Sequence, residues 1–64
     1  MMEYQADKEF DAYRDAKKLA QARGYAYAVF SPFTGWAAQA DKPMTRCDGM
    51  RVIEVTDAGE HYPA

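Results

Sequence analysis

The sequence predicts an α+β fold, with one N-terminal amphipathic helix packed on an antiparallel sheet of three or four strands. Three observations carry that expectation. Apolar residues recur at three- and four-residue spacing up to Arg23, the period drops to two after Gly24, and the strand-like runs that follow are separated by Pro and Gly turn signals. The layout is α-β-β-β, with a short fourth strand available near the end, in one domain over residues 1–64.

The helix is expected over Ala6 to Arg23. Ala6, Phe10, Tyr13, Ala16 and Ala20, flanked by Ala12 and Leu19, fall on one side of it and form the core-facing stripe. Asp7 fits the N-cap, accepting from the unpaired N–H groups of the first turn, and Glu9 adds negative charge where the helix dipole favours it. Lys17, Lys18 and Arg23 lie at the other end, and Gly24 supplies the left-handed position that commonly stops a helix. Glu9 is the one conflict, because it falls near the middle of the apolar arc. Its place near the helix start lets it reach solvent past the edge of the core.

In the first strand Tyr25, Tyr27, Val29 and Ser31 alternate with Ala26, Ala28 and Phe30, which puts most of the aromatics on one face and small residues on the other. Ser31 to Gly35 reads as a hairpin loop built on Pro32 and Gly35. Trp36 to Ala40 is the returning strand, ended by Asp41-Lys42-Pro43. Two readings stay open for Met44 to Gly49. Asp48-Gly49 is a two-residue hairpin signal that would pair Thr45-Arg46-Cys47 with the next strand, and the segment can equally be an irregular loop. Arg51 to Thr56 is the third strand, with Ile53 and Val55 on one face and Val52, Glu54 and Thr56 on the other. Asp57-Ala58-Gly59 is a turn, and Glu60-His61-Tyr62 can add a fourth strand before Pro63.

A chain of 64 residues buries only about 60% of the surface its unfolded state exposes, so the core must be thin. Its 48% hydrophobic and 28% charged residues are an ordinary globular balance. With one cysteine, Cys47, no intrachain disulfide can reinforce the fold, and a lone thiol suits a reducing compartment. Met1 to Phe10 carries four charges and no apolar run, and no membrane-length apolar stretch follows, so a cytoplasmic location without membrane partners is expected. The net charge of −2 is uneven. Residues 1–23 hold five acids and five bases, whereas residues 24–64 hold five acids against Lys42, Arg46 and Arg51. There is no basic stripe of the kind that binds nucleic acid directly.

Groups that could carry catalysis are scarce. Cys47 and His61 could act as a nucleophile and base only if the C-terminal segment folds beside the 44–49 loop, and the more ordinary roles are a partly buried thiol and a surface histidine. Two such ligands fall short of a structural zinc site, and no Gly-rich loop joins a strand to a helix, so neither a metal nor a cofactor is expected. Asp7, Asp11 and Asp15 lie in line along the helix, but Lys8, Arg14 and Lys18 are spaced to neutralise them. The better acidic group is Asp48, Glu54, Asp57 and Glu60, which only Arg51 interrupts. Five aromatics, Tyr25, Tyr27, Phe30, Phe33 and Trp36, fall within twelve residues, in a 25–41 segment without a base. One helix covers one face of a sheet, so the aromatics on the opposite face must meet solvent, a second copy or a partner. Tyr and Trp are also common interface hot spots. The candidate partner-binding residues are therefore Asp48, Glu54, Asp57, Glu60, Tyr25, Tyr27 and Trp36.

In size, α+β layout, acidic bias and want of catalytic residues, the chain resembles the small phage-encoded inhibitors of bacterial defence known as anti-CRISPR proteins. That resemblance implies stoichiometric binding to a CRISPR effector in the host cytoplasm, often where the effector would otherwise hold DNA, with carboxylates in the place of phosphates. A non-catalytic inhibitor of a nucleic-acid-binding complex is accordingly the first expectation. A homodimeric accessory protein joined through edge strands or aromatic faces is the second, and a small Cys/His enzyme a remote third.

Overall fold

The computed structural model describes the backbone of residues 2–64 and the side chains of residues 8–64. Helix α1 spans Met2–Arg23, β1 Tyr25–Ser31, β2 Gly35–Gln39, β3 Arg51–Thr56 and β4 His61–Pro63. The four strands form one antiparallel sheet in the order β2-β1-β3-β4, with α1 packed on one face. This is the α+β layout expected, with the fourth strand present.

The helix begins earlier than its periodicity indicates, since no Gly or Pro between Met2 and Asp7 interrupts it. Asp7 is itself helical and so is not the N-cap, and the side chains of Ala6 and Asp7 lie outside the described residues. The other end is as expected. The N–H of Gly24 donates to the Ala20 carbonyl at 2.6 Å, and Gly24 then takes φ 96. A Cβ there would touch nothing within 4 Å, so the demand for glycine is conformational rather than spatial.

The stripe that faces the sheet is Ala12, Ala16 and Ala20, all buried, and not the wider arc read from the sequence. Phe10 lies about 120° around the helix from its centre and is 65% exposed, while Leu19 sits at the margin and is 38% exposed. The alanines meet Ala26 and Ala28 of β1 and Val55 of β3, with Tyr13, Trp36 and Ala38 packed around them. Side chains this small let the helix backbone settle close to the sheet. Glu9, near the start of the same line, is half-buried at the edge of the contact.

Cross-strand pairing fixes the faces. Ala26 opposes Val55 and Ala28 opposes Ile53 on the helix side, whereas Val29 opposes Val52 and Tyr27 opposes Glu54 on the far side. Ser31 and Gly35 pair at the mouth of the β1–β2 loop, so β2 starts one residue earlier than expected, and the Ser31 hydroxyl accepts from the Phe33 N–H at 3.1 Å. The β3–β4 turn closes through Gly59 N–H to the Thr56 carbonyl at 2.8 Å.

The segment that the sequence left open, 44–49, belongs to an irregular crossover over residues 40–50. Both β2 and β3 run antiparallel to β1, from opposite sides, so this connection must travel the length of the sheet and pass β1. It does so on the face that α1 leaves free. There Tyr27, Val29 and Val52 are buried with Met50 against them, and Pro43 and Cys47 are half-buried while Met44 is exposed. Asp48-Gly49 does form a tight turn, with Met50 N–H to the Cys47 carbonyl at 3.1 Å. It is not the hairpin turn, because only Gly49 (φ 84) has a positive φ, and the two-residue hairpin of the Asp-Gly type needs one at both central positions. Gly49 instead lies against Pro32, whose Cγ a Cβ would approach to 3.3 Å.

The close helix–sheet approach sets a stability test. Ala16→Leu adds volume where Ala16 is fully buried and should cost about 1–3 kcal/mol, read as a lower urea midpoint. An unchanged or higher midpoint would show that the contact has room it is not supposed to have.

Candidate functional site

The face opposite α1 is divided by the crossover. At the Phe30 end Val29 and Val52 are covered; at the Tyr25 end the strands carry polar and aromatic side chains that remain accessible. Strand register assembles these into a row, Gln39–Tyr27–Glu54–Tyr62, that runs across all four strands, with Tyr25 and Thr56 as the next pair toward the end. Tyr62 is 48% exposed, Tyr25 37% and Tyr27 only 8%, so Tyr27 forms the floor and the other two phenols stand at the sides.

The electrostatics of this face are acidic. Glu60 turns toward it, its Oε1 accepting from the Tyr62 hydroxyl at 2.7 Å. That hydrogen bond, then the Glu60 charge, raises the Tyr62 phenol above the ordinary tyrosine value, with a further push from Glu54. Tyr27 is raised by burial first and by Glu54 second. The nearby base is Arg23. Its guanidinium donates to the Tyr25 hydroxyl and to Asp41 Oδ1, each at 3.0 Å, and lies 4.7 Å from the Tyr25 ring centroid. Those hydrogen bonds, to Tyr25 first and Asp41 second, raise the Arg23 value further. Arg23 is thus committed to one corner, and among the described residues neither Glu54 nor Glu60 has an ion-pair partner. Tyr25 meets Tyr27 edge to face at 5.9 Å, which sets the spacing of the two rings.

Of the seven residues singled out from the sequence, Tyr25, Tyr27, Glu54 and Glu60 come together here. Asp57 joins at the rim, in the β3–β4 turn, with its N–H donating to the Gly24 carbonyl at 3.2 Å. Asp48 and Trp36 do not. Asp48 sits in the turn at the opposite end of the sheet. Trp36 lies on the helix side, 6.0 Å from the Tyr13 ring and 5.4 Å from Phe30, with the Arg51 guanidinium 5.5 Å from its centroid. Tyr62, Gln39 and Asp41 were missed. The alternation of Gln39 and Tyr62 was readable, but their place in the row depends on strand order and register, and Asp41 joins through Arg23.

Cys47 and His61 are kept apart by the sheet: the thiol is on the crossover, and His61, paired with Val55, stacks on Tyr13 on the helix side at 4.4 Å. The aspartate line along α1 is partly neutralised, as its spacing indicated, by the 3.1 Å Asp11–Arg14 ion pair. Among the described residues no cluster of three metal-ligating side chains occurs, and no helix is long and apolar enough to cross a membrane. Comparison with protein-family models, curated proteins and solved structures returned no match.

The phenols can be titrated, Tyr13 being raised by burial first and by Glu9 second. Tyr13, Tyr27 and Tyr62 are all raised above 10.0 in the folded chain, so their contribution to stability is complete below pH 10.0 and is lost as the pH rises through the native values. NMR titration of the tyrosine ring carbons should place Tyr62 above 10.0 and show it falling toward that value in Glu60→Gln. No movement in the variant would mean that the Glu60 contact does not form in solution.

Proposed function

We propose that this chain is a non-catalytic protein-binding inhibitor, anti-CRISPR-like in mode, that blocks a nucleic-acid-binding complex with the acidic tyrosine face of its sheet. One observation carries the reading: the Tyr27–Glu54–Tyr62 row with Glu60 beside it presents carboxylates that have no ion-pair partner among the described residues, next to the exposed Tyr62 phenol and above the buried Tyr27 ring. A surface built to hold phosphates offers Lys and Arg donors, and carboxylates satisfy the same donors. The phenols supply rigid contact area at low entropic cost and a hydroxyl that can hydrogen-bond to the partner when buried, which is why tyrosine is prominent in interface hot spots. The separation of Cys47 from His61 supports the non-catalytic part of the reading. Direct binding of nucleic acid is disfavoured by the same unpaired carboxylates, which would repel phosphates.

The test is capture from bacterial lysate with the purified chain as bait. A nucleic-acid-binding complex should be retained and should be displaced by added DNA and by high salt, since rim charges are screened. Glu54→Lys and Glu60→Lys should each weaken capture about tenfold or more, as when a charge-assisted contact is replaced by a like-charge one, and Asp48→Lys should not. Capture that survives both reversals would exclude this face as the contact. Retention of nothing but a second copy of the chain would favour a self-associating accessory protein.

A further inference from the structure

On the helix side of the sheet, a cleft of about 310 Å³ opens between α1 and the β3–β4 turn, lined by Phe10, Tyr13, Arg14, Lys17, Gly59 and His61. Its walls are aromatic. The Tyr13 and His61 rings are stacked face to face, 4.4 Å apart and within 4° of parallel, and Phe10 stands three residues before Tyr13 on α1. Phe10 has no place in the core, and its 65% exposure leaves a large apolar ring at the mouth of the cleft. Among the described residues the charges that line it are basic. Arg14 is held only by an exposed ion pair to Asp11, a contact of small net strength that a ligand can displace, and Lys17 is in no ion pair among the described residues. The Lys17 ammonium rests beside Gly59, within 3.5 Å of where a Cβ would stand, so the turn's lack of a side chain leaves room for this cation at the cleft. Among the described residues no carboxylate lines the cleft.

We propose that this cleft binds a small aromatic anion, a planar ring carrying a phosphate or a carboxylate. The ring packs against Phe10 and the Tyr13–His61 stack, and the anionic group is taken by Arg14 and Lys17. Arginine suits the role because its planar fork both stacks and matches a phosphate or carboxylate in two-point contact. The volume is at the small end of ligand pockets, which fits one ring system with its charged group rather than a polymer. The site is on the opposite side of the sheet from Glu54 and Tyr62, so it stands or falls separately from the inhibitor reading.

The experiment follows the amide resonances of Gly59 and His61 in the full chain during titration with adenosine monophosphate, benzoate, adenosine and inorganic phosphate. At least one of the two aromatic anions should produce a saturable shift centred on these residues, and which one does so identifies the anionic group. Adenosine and phosphate, each with half of the recognition chemistry, should bind about tenfold more weakly or worse. Lys17→Glu should lose about tenfold in affinity, and Arg14→Gln provides the same test if the first variant loses its native spectrum. The proposal is overturned if neither aromatic anion gives a saturable shift, if phosphate alone binds as tightly, or if both variants bind as the parent does.

Discussion

Ala12, Ala16 and Ala20 of α1 meet Ala26 and Ala28 of β1 and Val55 of β3, and the size of these side chains constrains the rest of the structure. A short chain has little apolar surface to bury, and this one uses it in a contact where backbone comes close to backbone. Val55 is the largest side chain that is fully buried among the described residues. Bulky groups are excluded from the contact and displaced to its margins. Tyr13 and Trp36 pack at the border, and Phe10 is left in solvent at the cleft. The aromatic cleft on the helix side is therefore a by-product of a core that admits only small residues.

The same contact determines what the other face must do. Because α1 is spent on one side, the apolar residues Val29 and Val52 need a second cover, and the 40–50 crossover with Met50 provides it. An irregular segment of this length covers only part of the sheet. Where it stops, Tyr25, Glu54 and Tyr62 remain beside the buried Tyr27, held in register by pairing through three strand interfaces. The candidate binding face thus sits on the most regular part of the fold, which positions its side chains more tightly than a loop could.

Much of this fold was legible in the residues because local signals agreed with one another. Gly24 marks the change of period from helix to strand, and the tyrosine–alanine alternation of β1 sorts its faces correctly. The crossover was not legible, since Asp48-Gly49 is compatible with either a hairpin or a turn until the φ of Asp48 is known. Phe10 was misplaced for a physical reason: a large apolar residue at helical spacing looks like core, and only packing reveals that the seam rejects it. The site was half legible. Acidity and aromatic content were visible, but that Glu54 lies between Tyr27 and Tyr62, and that Asp48 and Trp36 lie elsewhere, follows from register and topology, which one sequence does not encode locally.

Native-state hydrogen exchange tests the primacy of the alanine seam most directly, because it reports the opening energy of each segment separately. If the seam holds the fold together, the central amides of α1 near Ala16 and those of β1 and β3 will exchange slowest and with a common opening energy, and the 40–50 crossover will exchange much faster. Helix amides that exchange as fast as the crossover while the sheet stays protected would show that α1 detaches independently, and that the sheet does not depend on the alanine contact.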